Sequence, residues 1–180
     1  MKQILAFFCM AFLVAACNNK QNKTTETTQT DAAPPAAEVT LPYTLASPYN
    51  NWSIGSTENV AAAMNGLKAF VDNDFTALAA TIGDSIVLDF DQLQVKLSRD
   101  SALKFFTTAR AGYKDITIVM DDYVSVISAD KKHEWVTLWY KQSWTDPKGM
   151  KDSMNVINDI KLSNGKMVAL HEKTSRFQKK

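Results

Sequence analysis

The stretch Lys132–Phe177, KHEWVTLWYKQSWTDPKGMKDSMNVINDIKLSNGKMVALHEKTSRF, reads as three successive antiparallel strands. The first covers His133–Asp146, the second Lys151–Leu162 and the third Met167–Phe177. Asp146-Pro147-Lys148-Gly149 separates the first two and Ser163-Asn164-Gly165-Lys166 the last two. Both joints carry turn chemistry, since glycine and asparagine accept the left-handed backbone a tight hairpin needs. Successive side chains of a strand point to opposite faces. In the first strand Trp135, Thr137 and Trp139 share one face, and Val136, Leu138, Tyr140 and Trp144 the other. Apolar residues on both faces predict cover on both sides, either within one chain or by a subunit interface. The second strand alternates more cleanly, and Asn158 is the polar exception among Met154, Val156, Ile160 and Leu162.

Working outward, the chain starts with Lys2 and an apolar run, Ile4–Ala16. The run is too short to span a bilayer and has the charged start and short apolar core of a secretory signal. It ends Val14-Ala15-Ala16-Cys17, small residues set directly before a cysteine. That string resembles a bacterial lipoprotein lipobox, which implies cleavage after residue 16 and a lipid on Cys17. Cys9 lies in the segment that would be removed, so the mature chain would hold no thiol for a disulfide, a nucleophile or a thiolate metal site. Removing Lys2 leaves 19 basic residues against 19 acidic ones. A balance near zero argues against nucleic acid, whose phosphates favour a basic excess.

Residues 17–47 carry TTETTQT and AAPPAAE and little that could be buried. They read as a disordered tether that holds the domain off a membrane. Asn18 after the cysteine, by the enteric sorting pattern, points to the outer membrane facing the periplasm.

Residues 48–180 are long enough for one domain with a core of its own. Tyr49 and Trp52 open it. Ser56 can cap a helix over Thr57–Asp72, with Val60, Met64, Leu67 and Val71 on one face. A short helix over Asp74–Ala80, a strand over Ser85–Phe90 and its hairpin partner Gln94–Leu97 follow. Helix three covers Arg99–Tyr113, with Leu103, Phe106, Ala109 and Tyr113 facing inward. Ile116–Ser128 is a long strand interrupted at Asp121-Asp122, which suggests a bulge. The fold class is therefore α+β: a cone-shaped, curved antiparallel sheet wrapped around three N-terminal helices.

This layout resembles the nuclear-transport-factor-2-like superfamily, which includes polyketide-cyclase-like and ketosteroid-isomerase-like proteins. The resemblance rests on NVAAAMNGLKAFVDNDFTALAATIGDSIVLDF, the later helix start SRDSALKFF and the strand pair NDIKLSNGKMVAL. It covers Tyr49–Phe177 and implies a pocket at the open end of the cone. In catalytic relatives a pocket carboxylate moves protons beside a carbonyl, helped by an acid on the strand before the final turn. Here that position holds Asn158, a carboxamide that hydrogen-bonds but donates no proton in catalysis. Asp159 is one residue away on the opposite face. The alternative role for Asn158 is to satisfy a buried backbone group.

The other carboxylate candidates are Asp89, Asp91 and Glu172. Asp89 and Asp91 read equally as solvated turn carboxylates, and Glu172 either points inward or pairs with a neighbouring lysine. His133 and His171 stand singly, without the spacing of a metal motif, and no cofactor or metal is expected. Trp52, Trp139, Tyr140 and Trp144 are the candidate ligand contacts, because such rings line apolar cavities while offering one polar atom each. Three function classes follow: a lipoprotein that binds a small apolar or amphipathic molecule, an isomerase-, dehydratase- or cyclase-type enzyme, and a scaffold that homodimerises through the outer sheet face.

Overall fold

The computed structural model describes residues 40–44, 51–91 and 93–176. The signal segment, Cys17, most of the tether, Tyr49 and Phe177 lie outside the described residues. Among the described residues, three helices and seven strands follow one another as β1 (Trp52–Ile54), α1 (Thr57–Val71), α2 (Phe75–Thr81), β2 (Ile82–Phe90), β3 (Leu93–Ser98), α3 (Arg99–Arg110), β4 (Asp115–Ser128), β5 (Glu134–Thr145), β6 (Lys151–Ser163) and β7 (Lys166–Arg176).

Each helix starts where a side chain satisfies a free backbone N–H. Ser56 accepts from Asn59 N, Asp74 from Ala77 N and Ser98 from Ser101 N. The β6–β7 turn places Asn164 at φ 50° and Gly165 at φ 69°, the paired left-handed residues of a two-residue hairpin. Asp146 closes the β5–β6 turn by accepting from Lys148 N and Met150 N, both at 2.8 Å.

The strands form one curved, unclosed sheet in the order β1-β4-β5-β6-β7-β2-β3. All neighbours are antiparallel, as expected of the four long strands, except β2 and β7, which run parallel. The short edge strand β1, with Trp52 opposite Ser128, is absent from the sequence reading, because three residues are too few to show a period. The interruption at Asp121-Asp122 is a bulge: the register shifts between Met120 and Asp122.

The helices pack on the concave face. On β5, Val136 and Leu138 are fully buried, Tyr140 and Gln142 nearly so, while Trp135, Thr137 and Trp139 stay half-buried on the convex face. Among the described residues, the double cover expected for β5 is thus found on one side only.

The buried line of α1 keeps Val60 from the expected face and is shifted toward smaller residues. It runs through Asn59, Val60, Ala63, Gly66 and Ala69. Met64 and Val71 are only partly buried. Small residues let the helix axis approach the sheet: a Cβ on Gly66 would lie 2.6 Å from Met167 Cε. Periodicity weighted by side-chain size misses such a face, because the residues that permit close approach contribute little apolar bulk.

A candidate ligand cavity in the cone

Between α1, α3 and the concave face lies a cavity of about 190 Å³. Its wall is mostly aromatic and aliphatic: Phe70, Phe90, Phe105 and Phe106 on one side, Met154, Ile160 and Leu170 on the other. The phenylalanines support one another. The Phe105 and Phe106 ring centroids are 5.5 Å apart and the rings nearly perpendicular, and Phe90 lies 5.9 Å from Phe105. Such ring geometry adds stability beyond area burial and gives the wall a fixed shape.

Among the described residues, five polar side chains line this cavity: Tyr113, Tyr140, Gln142, Asn158 and Glu172. Strand register assembles them. Asn158 on β6 stands directly opposite Glu172 on β7, and Phe90 on β2 flanks Glu172 on the far side. Tyr140 on β5 lies diagonally across from Asn158, whose Nδ2 donates to Tyr140 Oη at 2.9 Å. Tyr113 follows α3, and its backbone is held by Arg110, which donates to Tyr113 O at 2.7 Å and through its other nitrogens to Val71 O.

The electrostatics follow from burial. The Glu172 carboxyl is pushed up to about 7, first by loss of solvent and then by the nearby negative charge of Asp91. Tyr140 is raised well above the ordinary phenol value by burial and by Glu172, although its bond from Asn158 works the other way. Tyr113 is raised for the same two reasons, opposed by Arg176 and by a hydrogen bond with Gln142. Both phenols therefore stay protonated near neutrality, and each is a potential donor. Glu172 makes no hydrogen bond or ion pair with another described residue.

Of the sequence candidates, Tyr140, Asn158 and Glu172 are brought together. Asn158 donates to a side chain, Tyr140, and not to a backbone group, its alternative role. Glu172 faces the cavity instead of pairing with a lysine. The remaining candidates lie outside the lining of this cavity. Asp89 points to the convex side with Val87 and accepts from Gln94 at 3.3 Å. Asp91 is exposed in the β2–β3 turn and reaches the cavity only through its field on Glu172. Trp139 pairs with Ile157 on the convex face, outside the cavity, because the strand alternation that brings Tyr140 in turns Trp139 out. Trp144 is on the concave parity but beyond the cavity wall, set edge-on to Tyr113 at 5.8 Å. Trp52 is on the edge strand, away from the lining. His171 sits against Trp135 on the convex face, and among the described residues no three His, Cys, Asp or Glu side chains gather.

Gln142 and Tyr113 were not among the predicted site residues. The parity of β5 places Gln142 beside Tyr140 on one face, which is a legible signal. Tyr113 is legible as the last inward-facing position expected of helix three, although the helix itself ends at Arg110 and Tyr113 enters the cavity from the turn that follows.

No family model matches the sequence, and no curated protein matches it significantly. Solved structures do match. One is an NTF2-like protein of unknown function from Burkholderia pseudomallei, 12% identical with a TM-score of 0.55, covering 67% of this chain and 92% of its own. Another is an LEH-like epoxide hydrolase of M. tuberculosis, 14% identical with a TM-score of 0.53, over 67% of this chain and 84% of its own. A third is a SnoaL-like polyketide cyclase from Jannaschia sp. CCS1, 13% identical with a TM-score of 0.54, over 66% of this chain and 86% of its own. The domain has the nuclear-transport-factor-2-like fold. At such identities the likeness concerns the backbone, and the side chains of the cone have to be read for themselves.

Proposed function

We propose that the cone is a receptor for a small, largely apolar molecule of about one ring, held with its polar end against Tyr140, Asn158 and Glu172. The observation that carries this is the combination of an aromatic wall with polar side chains in the same cavity, the usual constitution of a ligand site. Size supports it: a dry cavity of about 150 Å³ accommodates benzene, and this one measures about 190 Å³. Titrating benzyl alcohol against the full chain, with methyl and aromatic NMR signals as the readout, is expected to shift Met154, Phe105 and Leu170. Unmoved signals at millimolar ligand would sink the reading.

A second reading, a proton-transfer enzyme of isomerase, dehydratase or cyclase type, is favoured by one specific feature. Glu172 is balanced between its two protonation states near neutrality, as a general base should be, with the Tyr140 hydroxyl beside it to polarise a carbonyl. It predicts that the protein speeds deuterium uptake next to the carbonyl of cyclohexanone, and that Glu172→Gln abolishes this.

We also propose that the chain is a lipoprotein anchored at Cys17 to a bacterial membrane, the outer one by its Asn18. The support is the sequence string ending at Cys17. Cys17→Ala is expected to release a folded domain into the soluble fraction, and membrane retention of that variant would count against the anchor. Homodimerisation through Trp135 and Trp139 draws support from their half-burial on the convex face. A sedimentation coefficient that stays monomeric at high concentration removes it.

A further inference from the structure

Among the described residues, no donor reaches Asn158 Oδ1 or the Glu172 carboxyl, both in the cavity. Asn158 Oδ1 is buried without a hydrogen-bond partner among the described residues, in a side chain only 4% exposed. Its Nδ2 is committed to Tyr140. Directly across the β6–β7 register, Glu172 likewise meets no donor. Cross-strand neighbours of this kind stand about 5 Å apart at Cβ, so one ligand group can reach both. Leaving the buried Asn158 Oδ1 unmatched is costly, a cost removed by a group carrying several donor hydrogens.

The surroundings favour a positive charge on that group. Among the described residues no lysine, arginine or histidine lines the cavity, and the ring of Phe90 flanks Glu172. The charged and titratable groups near Glu172 are Asp91 from the β2–β3 turn, Tyr140 from β5, Tyr113 after α3, and Arg176 further along β7. Both phenols are neutral, and Arg176 is 3.9 Å from Asp152, outside the cavity lining. The interior is therefore acceptor-rich, and its aromatic faces attract cations.

Resting on the receptor reading above, we infer that the cone takes a small amphiphilic amine, its ammonium head donating to Asn158 Oδ1 and Glu172 and its apolar body against the phenylalanine wall. A carboxylate ligand would meet Glu172 as a like charge. A neutral alcohol has one hydrogen for two acceptors. Binding would tighten as Glu172 ionises, hence as pH rises through about 7, until the amine itself loses its proton.

The test is a matched series of one-ring probes, benzylamine, benzyl alcohol, benzaldehyde and benzoate, titrated calorimetrically against the full chain at pH 5.5 and pH 8. At pH 8 benzylamine is expected to bind at least about tenfold tighter than the alcohol, and this margin should close at pH 5.5, where most Glu172 is protonated. In Glu172→Gln the preference for amine over alcohol should vanish. The wild-type pH series stands without that variant should it fold poorly. Alcohol, aldehyde or benzoate binding as well as the amine at pH 8 overturns the amine inference while leaving the receptor reading intact. No binding by any of the four removes both.

Discussion

Glu172→Gln is expected to stabilise the domain by about 2–3 kcal/mol at pH 8 and to change it by less than about 0.5 kcal/mol at pH 4.5. The carboxyl sits at about 7 in the folded chain against an ordinary value of 4.5, because burial disfavours its charged form. Between those two values the folded state keeps a proton that the unfolded state has released. The folded state then binds more protons, so stability falls as pH rises through this window, and the full penalty is present above about 7. Glutamine has the same shape and never ionises, so it escapes the penalty. Urea unfolding at the two pH values reads the effect directly. Equal stability of the two proteins at pH 8 would mean that the carboxyl is solvated, and the ligand reading would lose its central group. A residue that weakens the fold at neutral pH is of the kind retained for a site rather than for the core.

Leu138→Ala is expected to cost about 3–4 kcal/mol, within the range for emptying a packed leucine site. Leu138 lies in the middle of β5, fully buried between Val136 and Tyr140 and opposite Asn158 on β6. Its loss opens a void beside the Asn158–Tyr140 hydrogen bond, and that bond should loosen as well. Ile54→Ala is the control: this residue is 80% exposed on the edge strand, and the change should stay within about 0.5 kcal/mol. Denaturant melts of both variants at pH 5 separate the packing effect from the titration of Glu172. Similar costs for the two substitutions would contradict the burial of β5.

The architecture was legible where local chemistry and tertiary packing agree. Ser56, Asn164-Gly165 and the Asp146–Gly149 turn mark element ends by groups that act within a few residues. The long strands show their period. Legibility failed where tertiary contacts chose among locally equal options. The inward face of α1 was expected at Val60, Met64, Leu67 and Val71; Val60 is buried and Met64 and Leu67 pack against the core, while the close approach to Met167 adds the Ala63–Gly66 line and leaves Val71 only partly buried. Among the candidate site residues, Tyr140, Asn158 and Glu172 lie in the cavity, whereas Trp139, Trp144, Trp52 and Asp89 do not. Large aromatics signal burial or half-burial, and that property is shared by cavity walls, convex sheet faces and strand edges.

By itself, the sequence determined the α+β order of elements, the turns between the last strands and the alternation that sets Tyr140 apart from Trp139. It also carries the whole case for Cys17. These are properties of short spans, where a side chain acts on its own backbone or on the next turn. Only the tertiary structure decided which strand parity faces the helices, that β2 runs parallel to β7, and that Glu172 meets Asn158 across a strand pair. Register sums contacts over the full length of the sheet. The charge state of Glu172 depends on how much solvent that assembled sheet and its helices exclude, a quantity no segment of the chain possesses alone.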